Sequence, residues 1–218
     1  LGLAWFLDRA RRLLSSPARP DAAWLTALER QMASSAAAIA AGRADYAGQL
    51  AGQLMHIEDM LPALDMALVG EGEQSILSGL KPLEVEDEYL RLWYNARALD
   101  QKSGHTRTGP HRTDFLVRHR GKDMPADQCS TGEQKALLLA LILANARLVH
   151  AARNQAPLLL MHEVAAHLDS TRRQQLFSAL EALGSQVWLT GTDPASFSQL
   201  SEKSHLFTIE NNTAVLTR

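Results

Sequence analysis

Cys129-Ser130-Thr131-Gly132-Glu133-Gln134-Lys135 sets a hydroxyl, a glycine, a carboxylate and an amide directly before the apolar stretch from Ala136 to Ala144. Ser130 and Glu133 stand in the Ser-x-x-Glu spacing of a capping box, so a helix should begin there. A helix N-terminus offers free N–H groups and the positive end of a dipole, and a glycine lets the backbone come close to an anion. Ser130, Gly132 and Gln134 at that point could read a phosphate; a well-capped buried helix would carry the same residues. A second stretch, Leu158-Leu159-Leu160-Met161-His162-Glu163, is apolar and ends in an acid. A buried strand of that kind puts a carboxylate at the C-terminal sheet edge, where open α/β folds bind ligands. Glu163 there could orient a water for attack on a phosphoryl group, or it could be a solvated strand-end carboxylate. The third stretch, Ala166-His167-Leu168-Asp169, precedes a helical run, and Asp169 alone suits a helix N-cap.

A basic segment adds a different chemistry. Lys102, His105, Arg107, His111, Arg112, Arg118, Arg120 and Lys122 lie close together in sequence. They read either as a solvated basic face or as contacts to a phosphate backbone, which would be salt-sensitive and indifferent to base sequence. Phe115 alone lies among them, so no aromatic interleaving supports base stacking.

The elements that must hold these residues follow from the patterning. Residues 22–68 are rich in Ala, Leu, Gln and Met, good helix formers. Leu25, Leu28, Met32 and Ile39 fall on a heptad-like seam with Ser35 in the remaining slot, and Leu50, Leu54, Ile57, Leu61, Leu64 and Leu68 repeat the spacing. With a break near Gly42 and a kink at Pro62, this predicts an antiparallel helical hairpin. The acidic run Glu84 to Glu88 reads as a loop entering a helix from Tyr89 to about Leu99. A strand is expected over 115–119, a turn at Gly121 and a short second strand after it. Ser130 to Val149 is a helix, and Pro157 to Met161 is a strand buried on both faces. Ser170 to Leu183 is a helix stopped at Gly184, and Gln186 to Thr190 is the next strand. Strand, helix, strand in that order is a parallel βαβ unit. A closing hairpin around Asn211-Asn212 ends the chain.

The 218 residues are 46% hydrophobic, enough for one sizeable core or two small ones. The net charge of -2 supplies no global basic field, so any DNA contact must be local. Cys129 is the only cysteine, which excludes an internal disulfide and suits a reducing cytosol. No uninterrupted apolar run approaches the ~20 residues that span a bilayer, so no membrane association is expected.

Taken in order, the capped Ser-x-Gly-x-Gln helix, the apolar strand with Glu163 and the Leu168-Asp169 pair resemble the signature motif, Walker B strand and D-loop of ABC-type ATPases. Gly109-Pro110-His111-Arg112-Thr113-Asp114 is similar to a Gly-Pro-His-Arg-x-Asp segment of RecF-like proteins. The likeness runs from about Glu84 to Thr192 and is looser from Asp21 to Leu68. It implies an α/β fold: the C-terminal lobe of an ABC-ATPase or SMC-like head, with a parallel βαβ sheet and a helical hairpin subdomain. Residues 1–20 would be a remnant of the N-terminal lobe, 21–100 a helical arm and 101–218 the C-terminal lobe. The resemblance further implies a cytoplasmic DNA-repair ATPase of recombination, replication restart and the SOS response. It would use ATP with Mg²⁺, dimerise around ATP, bind single-stranded or gapped DNA, and work with RecR- and RecO-like mediators. Ser130, Gly132 and Gln134 would bind nucleotide in trans, Asp169 would couple the two sites, and Glu163 would be catalytic. Arg107, Arg112, Arg118, Arg120 and Lys122 would be the DNA-contact candidates.

Two departures bear on that implication. No Gly-x-x-x-x-Gly-Lys-Ser/Thr occurs in the sequence; Gly121-Lys122 is its only Gly-Lys pair. His162 stands where the family pattern has the Walker B aspartate, and Mg²⁺ prefers oxygen ligands to imidazole. Together they leave open a non-catalytic interaction module of the same family. A zinc set of His162, Glu163 and His167 would need His-Glu-x-x-His on a helix, and the spacing here is longer; no metal site is expected. A sheet lacking neighbouring strands would expose an edge, so the isolated chain should self-associate.

Overall fold

Good helix formers with little to interrupt them produce one long element, not two. A computed structural model describes residues 2–14, 21–57, 61–166 and 168–217. Helix α1 spans Gly2–Leu14 and α2 spans Ala22–Leu54, running unbroken through Gly42. Strand β1 follows at Leu64–Val69, then α3 at Glu71–Leu77 and α4 at Pro82–Ser103. Strands β2 (Asp114–His119) and β3 (Met124–Pro125) precede α5 (Thr131–Arg153). Strand β4 (Leu159–His162), α6 (Ser170–Ala182) and β5 (Val187–Thr190) come next. The last pair is β6 (Phe207–Glu210) and β7 (Thr213–Leu216).

The expected hairpin within 22–68 is therefore corrected. A glycine costs a helix only about 1 kcal/mol, and Gly42 lies on the exposed side of α2, where no packing acts on it. The second half of the predicted hairpin ends at Leu54, and Leu64 to Leu68 belong to β1. Glu58 to Met60 lie outside the described residues. The seam also differs in detail: Ala33, Ala36, Ala37 and Ala40 are buried beside Leu25, Leu28 and Met32, while Ser35 and Ile39 are only half-buried. That is the 3.6-residue period of a helix packed on a core, not the 3.5 of a coiled coil. The acidic run likewise is helix and not loop, because Pro82 at the first helical position is preorganised for it.

The chain divides into two units. The first comprises residues 1–51 and 65–118. Its core joins Ala10 of α1, the α2 stripe, and Val85, Tyr89 and Trp93 of α4. Tyr89 and Trp93 stack with centroids 5.2 Å apart. Arg97 of α4 makes a bidentate pair with buried Glu29 of α2, at 2.7 and 2.6 Å. Strands β1 and β2 are neighbours in a sheet.

The second unit comprises residues 52–64 and 119–218. Helix α5 buries Ala136, Leu137, Leu139, Ala140, Leu143 and Ala144, and α6 packs against it with Leu176, Phe177 and Leu180 buried. Strands β4 and β5 pair in parallel, Leu159 opposite Val187 and His162 opposite Thr190, with α6 as the connection. The βαβ unit thus forms as its patterning predicts. Burial on both faces does not: Met161 is buried, but Leu158 and Leu160 on the opposite face are 56% and 75% exposed. Strands β6 and β7 close an antiparallel hairpin, with Asn211 and Asn212 at φ 49° and 61° as a type I′ turn requires. Helix α5 is also long and apolar enough, by length and composition, to cross a membrane. It has no unbroken apolar run of that length, because its polar residues are spaced through the helix.

Candidate functional site

In the second unit the first turn of α5 ties three loops together. Ser130 is the N-cap, and its backbone N–H and hydroxyl both donate to Glu133 Oε2, at 3.1 and 2.9 Å. Lys122 Nζ lies 2.5 Å from Glu133 Oε1. Lys122 first, then Ser130, hold the Glu133 carboxyl down to about 2. Gly132 is half-buried in the first turn. The Gln134 amide donates back to Asp127 O and Cys129 O, at 3.1 and 3.2 Å. Lys135 reaches the other way and donates to Glu163 O at 2.5 Å and Ala166 O at 3.0 Å.

Strand β4 ends in the turn that Lys135 grips. The His162 ring Nδ1 lies 2.7 Å from Thr190 Oγ1 on β5. Glu163 has φ 52°, a left-handed conformation uncommon outside glycine. Its N–H donates to Thr190 O at 3.0 Å. Its carboxylate makes no hydrogen bond or ion pair with a described residue. Asp169 is the N-cap of α6, its Oδ1 accepting from the Arg172 N–H at 2.8 Å. His167 lies outside the described residues. Among the described residues no three His, Cys, Asp or Glu gather as a metal-binding group. A lone imidazole at 162, already against a threonine hydroxyl, does not fit the all-oxygen shell of Mg²⁺. The α5 N-terminus, with a hydroxyl and a glycine amide, does fit an anion.

The basic segment falls in both units. Arg107, Arg112 and Arg118 belong to the first; Arg120 and Lys122 belong to the second. Lys122 serves Glu133, and Arg120 donates from Nη2 to Leu64 O at 3.1 Å. Around Gly109-Pro110-His111-Arg112 the loop is clamped from beneath. Trp93 Nε1 donates to Thr108 O at 2.9 Å, and Arg43 Nη1 donates to Pro110 O at 2.7 Å. Arg43 also pairs with Glu73 at 3.0 Å, and Glu73, fully buried, accepts from the Thr113 hydroxyl at 2.9 Å. Gly109 sits at φ 130°, which a side chain would strain. Arg112 and His111 stay exposed on this fixed loop. A cleft of about 350 Å³ between α2 and α4, lined by Thr26, Arg30, Leu90, Arg91 and Tyr94, contains none of the expected site residues.

Three partners were not anticipated. Lys135 directly follows Gln134, so its neighbourhood was visible but its reach was not. Glu73 and Arg43 carry no local signal, since a Glu71-Gly72-Glu73 run reads as a solvated surface.

No protein-family model matches the chain. It is 42% identical over 205 residues to the DNA replication and repair protein RecF of Rhizobium meliloti (strain 1021), covering 93% of this chain and 54% of that protein. It is 45% identical over 201 residues to the protein of the same name from Rhizobium rhizogenes, at 92% and 54% coverage. The chain spans about half the length of the curated relatives it matches. A solved structure of the recombination mediator protein RecF-ATPrS in the RecFOR pathway superposes with a TM-score of 0.77 at 20% identity, covering 100% of this chain and 57% of the other. The fold is thus a mixed α/β fold shared with the solved RecF structures. In sequence and in fold the chain is RecF-like over nearly all of its length, and it fits the C-terminal part of such a protein.

Proposed function

We propose that this chain is the signature-bearing part of a RecF-type DNA-repair ATPase that acts in recombinational repair and replication restart. The observation that supports the reading best is the placing of Ser130, Gly132, Gln134, Glu163 and Asp169 in one unit, with Lys135 joining α5 to the turn after β4. In this reading the α5 N-terminus takes the terminal phosphate of an ATP held by a second copy, so ATP holds a homodimer together. Ser130 must exchange its hydrogen bond from Glu133 to the phosphate as it does so. ATP would supply the phosphoryl group to be cleaved, and the Mg²⁺ that accompanies it would have to be held by oxygen ligands rather than by the His162 side chain. Glu163, whose carboxylate has no partner among the described residues, orients the attacking water, and Asp169 couples the two sites. Arg107 and Arg112 on the clamped loop contact single-stranded or gapped DNA through its phosphates. Arg118, Arg120 and Lys122 join that contact only by leaving their present partners. RecR- and RecO-like mediators are the protein partners, and the cytoplasm is the compartment.

His162 favours a second reading, a non-catalytic interaction module of the same family, because it offers imidazole where a carboxylate would hold Mg²⁺. Calorimetry of ATP binding at physiological Mg²⁺ separates the two. It is run on the chain with and without a supplied segment carrying a phosphate-binding loop. Binding only when that segment is present supports the ATPase reading; no binding in either case leaves DNA or protein contact as the function.

A further inference from the structure

A lysine on a helix surface ordinarily keeps its ammonium in water. Lys135 does not. It is half-buried, and its Nζ spends two of its three donors on backbone carbonyls, Glu163 O and Ala166 O. Its place on α5 is fixed, because Ala136 and Leu137 beside it are each 1% exposed. The turn it reaches is one that needs support. Glu163 at φ 52° is in a left-handed region that is unfavourable for a non-glycine residue and persists only where its surroundings determine it. Here they do: the Glu163 N–H is held by Thr190 O, and its carbonyl accepts from both Lys135 Nζ and the Ala166 N–H. The backbone of Glu163 is therefore tied on both sides, while its carboxylate has no partner among the described residues.

We infer that Lys135 is a positioning residue: it fixes the left-handed turn at Glu163 from the first turns of α5 and so sets where the Glu163 carboxylate stands. The inference rests on the reading of Glu163 as the residue that orients water. It adds a route within one subunit by which an anion at Ser130 and Gly132 is felt at Glu163. Any shift of the α5 N-terminus carries the Lys135 ammonium with it, and the ammonium carries the two carbonyls. Gln134, the neighbouring residue, holds the loop on the opposite side through Asp127 O and Cys129 O. Movement of this helix end is thereby shared between the loop before it and the turn after β4.

Two measurements test it. In the isotope-labelled chain, the Lys135 ammonium should exchange slowly with water and show scalar coupling across hydrogen bonds to the Glu163 and Ala166 carbonyls. Lys135→Met should shift the amide resonances of 163–166 and leave those of Leu139 to Ala146 in place, and Lys135→Arg should keep the turn. In the full-length gene product, Lys135→Met should lower kcat for ATP hydrolysis on the order of tenfold to a hundredfold, with KM within about twofold, and Lys135→Arg should recover most of it. A rapidly exchanging ammonium, or 163–166 resonances unmoved by Lys135→Met, overturns the inference. So does a raised KM at unchanged kcat. Glu163→Gln is the separating control. If it leaves kcat unchanged, the reading of Glu163 fails and the resonance data alone decide the role of Lys135.

Discussion

In the first unit the acids Glu29 and Glu73 are buried, each paired with a guanidinium from a distant part of the chain. In the second unit Glu133 and Asp169 stand at helix starts, held by short local contacts, and Glu163 stands just past the end of β4. The first arrangement fixes helices and a loop to one another. The second leaves helix N-termini and a strand end where a ligand can reach them. A buried pair adds little net stability, yet losing one partner is severe, because it strands the other charge. A capped helix end loses only its cap.

That contrast can be broken or sharpened by experiment. The largest effects belong to the first unit. Trp93→Ala removes a side chain 3% exposed and stacked on Tyr89, and should cost about 3–5 kcal/mol in denaturant unfolding. Glu29→Ala leaves the Arg97 guanidinium without its bidentate partner and should cost about 3–5 kcal/mol as well. A loss below about 1 kcal/mol there would put the pair in the class of exposed ones. In the second unit Asp169→Ala should cost about 1 kcal/mol and Asp169→Asn much less, since asparagine also caps. Equal losses would mean that the charge matters more than the cap.

Two pH effects are smaller and opposite in direction. Burial first, then Glu73, pushes the Tyr89 phenol up to about 12. A raised value favours the neutral form, so the Tyr89 contribution is complete below its ordinary ~10 and is lost as pH rises from there through about 12. Tyr89→Phe should remove that part of the alkaline loss of stability, read from unfolding midpoints across the range. Glu133, held down to about 2 by Lys122 and Ser130, contributes above its ordinary ~4.3 and loses that contribution as pH falls toward about 2. Lys122→Met should return the carboxyl toward its ordinary value and bring acid unfolding, followed by circular dichroism, to a higher pH.

What was legible in the sequence was local. The Ser130–Glu133 box, the Asp169 cap, the Gly184 stop and the Asn211-Asn212 turn each depend on a few adjacent residues, and each forms as read. The parallel pairing of β4 and β5 followed from element order alone. Where the reading failed, the deciding forces were not local. Gly42 has a poor helix propensity and so predicts a break, yet a helix packed along one face tolerates it on the other. Leu64 to Leu68 continued a leucine spacing and still became strand, because a place beside β2 outweighed the period. Leu158 and Leu160 read as buried, and only the fold shows that face uncovered.

The same division holds for the candidate site. By itself the sequence determined which residues begin α5, end β4 and cap α6, because capping and strand termination are set by neighbours a few positions away. Only the tertiary structure decided that Lys135 holds the Glu163 turn and that Arg43 and Glu73 fix the Gly109-Pro110 loop. It also decided that Lys122 and Arg120 are already engaged. Most of those contacts join residues dozens of positions apart, and a hydrogen bond between them exists only once the chain has folded around it.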